Sequence, residues 1–328
     1  MSVTSVTVRV PAKINLQLAV GPLRPDGYHG LVTVFHAVSL FDEVTVAPAE
    51  ADTVIVTGEG AGLVPEDGGN LALRAARALR EVIAERNGIP GASSAAGAAG
   101  VGGVAVTIDK RIPVAGGMAG GSADAAAALV ACNELWGAGL SQEELCAVAG
   151  DVGSDVAFAV VGGTAVGRGR GEQLTPAPAT TATYHWVLAL ADGHLSTPAV
   201  FRELDRQRAD QSRQRADQSM AEPGLSSGLM AACNAGDPVK LGAALSNDLQ
   251  EPALTLFPAL RKTLEAGKEA GALGALVSGS GPTCFFLADS AEQAAKLAIA
   301  LSSAGVCRQV TTVKGPVPGA TVVAREKG

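Results

Sequence analysis

Residues 113–123 read PVAGGMAGGSA, with Gly116, Gly117, Gly120 and Gly121 inside six positions and Ser122 directly after them. Glycines at this density leave backbone N–H groups uncovered. A helix starting there adds more N–H groups and the positive end of its dipole, and both attract phosphate. Pro113, Val114, Ala115, Met118, Ala119 and Ala123 complete the candidate loop. The competing reading is a flexible Gly/Ala linker. The loop contains neither GxxxxGK[ST] nor GxGxxG, so it is not one of the two better-known nucleotide loops. Elsewhere, Lys13 and Asn15 lie two residues apart in AKINLQL. That spacing puts both on one face of a strand, where they can point together into a cleft. Asp155 precedes the apolar run Val156 to Val161, a setting for a partly desolvated carboxylate near a chemical site. Tyr28 and His29 follow the turn signal Asp26-Gly27; an exposed aromatic beside a histidine can stack on a heterocycle and read its edge. Each has a plain structural counterpart: a solvated lysine, an N-cap aspartate or surface ion pair, and a small apolar patch beneath the turn. Asp124 and Asp151 share this ambiguity, Asp124 as a first-turn residue complementing a helix dipole.

These residues need elements to hold them. Before the loop, Val104, Val106 and Ile108 alternate as in a strand, and after it comes an alanine-rich segment with the composition of a closely packed helix. Near the N-terminus Val6, Val8 and Val10 fall on one strand face; beyond Pro11, Ile14, Leu16 and Leu18 take one face and Lys13, Asn15 and Gln17 the other. Residues 33–49 and 53–58 read as strands, and 70–86 as an amphipathic helix capped by Asn70. Ser141 and Glu144 have the spacing of a capping box. A Pro/Thr-rich linker near 176 divides the chain into 1–175 and 176–328. In the second part, 184–191 reads as a strand, 224–249 and 253–270 as helices, and 275–288 as strand, SGSGPT turn, strand. A further helix and the strands VCRQVTTVKG and ATVVA follow, which suits a two-layer α+β unit. The SGSGPT turn, 278–283, fits a hairpin turn and a domain-interface role equally. Residues 91–103 are low-complexity, and RQRADQS occurs at 206–212 and again at 213–219. The duplication is expected to be an exposed helix extension or a disordered insertion.

Composition sets bounds on function. The chain has 328 residues, 47% hydrophobic and 17% charged, enough for two domains with real cores. Its net charge is −7 and aromatics are 3%, a poor match to a nucleic-acid backbone or its bases. The N-terminus lacks signal-peptide features, and no apolar run approaches the roughly 20 residues of a membrane span. Five scattered cysteines are expected as reduced thiols, and four unclustered histidines give no metal site. The expectation is a cytoplasmic protein with small-molecule partners and no nucleic-acid, membrane or obligate protein partner.

In order and spacing, PAKINL at 11–16, PVAGGMAGGSADAA at 113–126 and VSGSGPTCF at 277–285 resemble the GHMP small-molecule kinases. DGYH at 26–29, GSDVAF at 153–158 and TPAVF at 197–201 are similar to the branch acting on 4-diphosphocytidyl-2-C-methyl-D-erythritol. The resemblance implies an α+β fold, with an N-terminal domain like the second domain of ribosomal protein S5 and a ferredoxin-like C-terminal domain. The active site would lie between them, and ATP with Mg²⁺ would phosphorylate the substrate's 2-hydroxyl on the non-mevalonate route to isoprenoid precursors. Asp155 matches the general base and Lys13 its partner. Residues 113–123 match the ATP loop, with Ser122 contacting phosphate or Mg²⁺. Tyr28 and Phe201 match a cytosine sandwich, His29 a reader of the base edge, Asn15 a contact near the acceptor hydroxyl, and Thr197 stands in the substrate-side TPAVF motif. Ala157 stands where relatives often have proline, and no acidic Mg²⁺ ligand is matched. A mevalonate- or homoserine-type kinase is the alternative within the family, against which DGYH and Phe201 speak, since neither substrate has a base to stack. A non-catalytic nucleotide-binding regulator would not need both Lys13 and Asp155.

Overall fold

The computed structural model describes residues 3–88, 101–177, 182–214 and 222–328. Its frame is a ribbon of two 21-residue strands, β1 (Val3–Leu23) and β2 (His29–Ala49). The Asp26-Gly27 turn joins them: Arg24 N–H donates to the Tyr28 carbonyl at 2.8 Å, and Gly27 has φ +82°. Register shifts at Pro11/Ala12 and Asn15/Gln17 bend the ribbon.

The chain continues through β3 (Thr53–Gly58), α1 (Leu71–Arg86), β4 (Gly103–Lys110), α2 (Gly120–Leu135), α3 (Gln142–Val152) and α4 (Val156–Val161). Then come β5 (Thr164–Gly169), β6 (Gln173–Pro176), β7 (Tyr184–Leu190), α5 (Thr197–Gln214), α6 (Ser227–Ala235) and α7 (Pro238–Ala244). The last part holds β8 (Ser246–Asn247), α8 (Gln250–Leu256), α9 (Ala259–Glu269), β9 (Gly274–Val277) and β10 (Cys284–Ala288). It ends with α10 (Ala291–Ala304), β11 (Gln309–Gly315) and β12 (Thr321–Lys327). One sheet runs β12-β1-β2-β4-β3, with β5 and β6 continuing from β2 and β8 beside β1; the other is an antiparallel β11-β7-β10-β9.

Two cores meet at β1. Val6 to Leu16 pack with Leu73 and Leu79 of α1 and with Ala125 to Leu129 of α2. Leu18 and Val20 join a second core, where Val187, Ala189 and Phe286 face Leu260, Leu264, Leu297 and Leu301. The middle of β1, which carries Lys13, Asn15 and Gln17, therefore crosses the junction. The alanines of α2 are buried on nearly every side, which lets the helix lie close beneath the sheet and holds its N-terminus rigid.

Asn70 caps α1 by accepting from Ala72 N–H, and Ser141 with Glu144 forms a complete capping box on α3. The long helix expected over 224–249 is instead α6 and α7. Gly236 ends α6 in a left-handed C-cap, and Asp237 caps α7 ahead of Pro238. The helix expected over 253–270 breaks at Phe257-Pro258, where α8 gives way to α9. ATVVA is a strand, but it pairs antiparallel with β1 and not with the four-stranded sheet. The first RQRADQS copy continues α5 as a helix extension, and within it Arg208 turns back to β1, donating to the Val20 and Gly21 carbonyls at 2.7 and 3.1 Å. Residues 215–219 of the second copy lie outside the described residues, as do 91–100 of the low-complexity stretch and 178–181 of the Pro/Thr-rich linker. All five cysteines are free thiols, with Cys132, Cys233 and Cys284 buried. Among the described residues no helix is long and apolar enough to cross a membrane.

Candidate active site

The glycine loop leaves β4 at Lys110 and enters α2 at Gly120. Ala115, Gly117 and Ala119 all have left-handed backbones, with φ of +53°, +76° and +59°. Alanine adopts this conformation only where surroundings hold it, and here a second loop does so. Gly117 O accepts from Lys13 Nζ at 3.2 Å and from Ser278 Oγ at 3.0 Å, and Met118 O accepts from Lys13 N–H at 3.3 Å. The SGSGPT turn thus closes the β9–β10 hairpin and also braces the glycine loop. The first N–H groups of α2, at Gly120, Gly121 and Ser122, have no carbonyl within the helix to bond, and these residues border the cleft.

A Cβ on Gly117 would lie 2.1 Å from the Ser278 carbonyl oxygen. Gly117→Ala is therefore expected to push the two loops apart and to lower kcat/KM for the substrate held there on the order of 10²-fold, the scale of a 1 Å misplacement. Steady-state kinetics check this against Gly150→Ala, whose added Cβ meets open space.

Lys13 is buried and sits between three oxygens. Its Nζ donates to Asn15 Oδ1 at 2.7 Å and to Gly117 O, and lies 3.7 Å from Asp155 Oδ2. Burial lowers the Lys13 pKa, and the Asp155 charge pulls it back up. Asn15 Nδ2 donates to Thr33 Oγ1 at 2.8 Å, and Thr33 donates to Gln17 O, so the amide is fixed with its oxygen toward Lys13. Asp155 stands at the N-cap position of α4 but makes no side-chain cap bond. Its carboxylate is committed to Lys13 and is 29% exposed on the cleft side.

The other end of the cleft is aromatic. The His29 ring is stacked on Phe201 at 5.3 Å between centroids and 23° between planes. Its Nδ1 is 2.9 Å from Gly21 O and its Nε2 is 3.4 Å from Asp205 Oδ2. Tyr28 is 55% exposed, with the Arg170 guanidinium 5.5 Å over its ring. Thr197 Oγ1 is 2.8 Å from Ser280 Oγ, which ties α5 to the SGSGPT turn.

One cleft of about 850 Å³ joins these parts. Lys13, Asn15, Tyr28, His29, Asp155, Thr197 and Phe201 line it, as do Ala115, Gly116, Gly117, Ala119, Gly120, Gly121 and Ser122. Pro113, Val114, Met118 and Ala123 do not; Met118 and Ala123 are buried in the core beneath the loop.

Several residues escaped the sequence reading, and Asp124 has a different role from the dipole complement expected of it. Asp124 lies in the second turn of α2, beyond the dipole, and forms a buried triad with Lys110 and Asp42. Lys110 Nζ is 2.6 Å from Asp42 Oδ2 and 2.7 Å from Asp124 Oδ2, while Asp42 Oδ1 accepts from Arg111 and Ile112 N–H. Burial pushes Asp124 up to about 7 against the pull of Lys110, and the Asp42 charge adds to the rise. Burial lowers the Lys110 pKa, and its two carboxylates more than restore it. The triad clamps both ends of the glycine loop. Its members are 68 and 14 residues apart, so only topology brings them together. Arg170, Arg202 and Asp205 also line the cleft, and no motif singles them out.

A glycine loop at a helix start, a lysine–aspartate pair and an aromatic pocket share one cleft. Residues 70–163 match the GHMP kinases N terminal domain and residues 229–307 the GHMP kinases C terminal. The chain belongs to the GHMP kinase family. It is 57% identical to the 4-diphosphocytidyl-2-C-methyl-D-erythritol kinase of Thermobifida fusca, over 98% of this chain and 99% of that protein. It superposes on a crystal structure of 4-(cytidine 5'-diphospho)-2C-methyl-D-erythritol kinase with a TM-score of 0.70 and 31% identity, covering 94% of this chain and 98% of that one. A homoserine kinase from Cytophaga hutchinsonii has the same fold, with a TM-score of 0.69 at 22% identity, covering 97% of each chain.

Proposed function

We infer that this protein transfers the γ-phosphoryl group of ATP to the 2-hydroxyl of 4-diphosphocytidyl-2-C-methyl-D-erythritol, giving the 2-phosphate and ADP. The observation that carries this is 57% identity over essentially the whole of both chains to a kinase of that name. The cleft supports it, with the glycine loop at one end, Lys13–Asp155 in the middle and Tyr28, His29 and Phe201 at the other.

In this reading residues 113–123 hold the ATP phosphates through backbone N–H groups and the start of α2. Asp155 accepts the proton of the substrate 2-hydroxyl as its oxygen attacks the γ-phosphorus. Lys13 pairs with Asp155 and offsets charge on the acceptor oxygen; phosphoryl transfer leaves little else for side chains to do beyond positioning. Asn15 orders Lys13 and contacts the substrate near the acceptor. Tyr28 and Phe201 hold the base, with Thr197 and His29 lining its pocket. Mg²⁺ would accompany ATP and neutralise its phosphates. Ser122 and Asp155 both line the cleft, and no group of three His, Cys, Asp or Glu that could hold a metal occurs among the described residues. That donor set fits a cation held chiefly by phosphate oxygens and water. Residues 1–175 and 176–328 supply the two walls, with β12 returning to the first.

ATP consumption measured with the cytidylyl substrate, mevalonate and homoserine tests the reading: turnover with the first alone supports it, and turnover with either of the others at equal kcat/KM removes it. Tyr28→Ala is expected to raise KM for the cytidylyl substrate on the order of 10-fold, the scale of one lost base–aromatic stack. Its KM for ATP should not change; equal changes in both would place the base elsewhere.

A further inference from the structure

We propose that Asp205 selects the base of the acceptor substrate: its carboxylate accepts a hydrogen bond from the exocyclic amine of cytosine and so favours cytosine over uracil. The proposal rests on the cytidylyl reading above. Phe201 and Asp205 are four residues apart on α5 and share one helix face, and both line the cleft beside Tyr28 and His29. His29 cannot swing away, because its Nδ1 is held at Gly21 O and its ring lies against Phe201. The His29 side chain is 6% exposed, and its Nε2 lies 3.4 Å from Oδ2 on one flank of the Asp205 carboxylate. Asp205 itself is 39% exposed, and its Oδ1 has no partner among the described residues.

The neighbouring acid on α5 is spent on its own helix. Glu203 accepts from Arg206 at 2.6 and 2.8 Å and from Gln207 at 2.8 Å. Asp205 is thus the acid of this helix that lines the cleft. An ionised carboxylate only accepts hydrogen bonds. Cytosine offers it an amine at the edge where uracil has a carbonyl oxygen, and two acceptors facing each other repel.

The test uses the full-length enzyme with ATP and either the cytidylyl substrate or its uridylyl counterpart. Wild type is expected to prefer the cytidylyl compound. Asp205→Ala should lose on the order of 10–100-fold in kcat/KM for it, the scale of one charge-assisted hydrogen bond, with KM for ATP unchanged. Asp205→Asn, whose amide can donate to a carbonyl, should narrow or reverse the base preference. An unchanged base preference in both variants overturns the proposal while leaving the functional reading intact. Wild type inactive on the cytidylyl compound overturns the functional reading, and the proposal with it.

Discussion

Asp155→Ala is expected to lower kcat on the order of 10²–10⁴-fold, the usual contribution of a general base, with ATP binding retained. The expectation follows from what the carboxylate is free to do. It sits at a helix start without capping it, 3.7 Å from the Lys13 ammonium, and faces the cleft. Removing it costs no cap and opens no core, so the fold should survive. The variant should also release Lys13 from its counter-ion, while the bonds from Nζ to Asn15 and Gly117 remain. Asp151, exposed one turn earlier, provides the control: Asp151→Ala should change kcat little. Near-normal turnover in Asp155→Ala would remove this residue from the mechanism. Isothermal titration with a non-hydrolysable ATP analogue separates lost chemistry from lost binding.

Lys110→Met is expected to cost about 3–5 kcal/mol of stability, the scale of breaking a buried ion pair from one side. Both carboxylates it serves are nearly inaccessible, with side-chain exposures of 0% for Asp42 and 3% for Asp124. Without Lys110 they are left buried with no cation, and Asp124 already has one oxygen, Oδ1, without a hydrogen-bond partner. Desolvation, and not the loss of attraction alone, sets the size of the effect. An exposed pair provides the contrast: Lys296–Glu292 at 2.7 Å has exposures of 72% and 79%, so Lys296→Met should cost about 0–1 kcal/mol. Denaturant unfolding of the two variants side by side checks the difference. If they cost the same, the triad is not the brace that the geometry describes. Because it grips β4 and α2 on either side of the glycine loop, Lys110→Met should also weaken ATP binding in the molecules that stay folded.

Much of this was legible in the chain. Local signals held wherever local chemistry decides the outcome, as in the Asn70 cap, the Ser141–Glu144 box, the Gly27 turn and the alternation that puts Lys13 and Asn15 on one face. The glycine loop could be read because glycine density reports on backbone conformation directly, as the left-handed Gly117 shows. Long elements of uniform composition misled, since Gly236, Pro238 and Pro258 break helices that hydrophobic content alone would continue. Partners separated by topology left no trace. The Asp42–Lys110–Asp124 triad, the return of β12 to β1 and the grip of Arg208 on Val20 and Gly21 each depend on how strands are ordered, which no spacing records. His29 shows the same limit: its position beside Tyr28 suggested a free edge, whereas both ring nitrogens face oxygens of the protein.

The site of phosphorylation tests the central claim most directly. Wild-type enzyme, ATP and 4-diphosphocytidyl-2-C-methyl-D-erythritol should give a product whose phosphorus NMR spectrum gains one phosphomonoester resonance, coupled to nothing in the diphosphate and assigned to the 2-oxygen, with ADP formed in equal amount. A phosphoryl group on any other oxygen, or ADP released without a phosphorylated alcohol, would contradict the account.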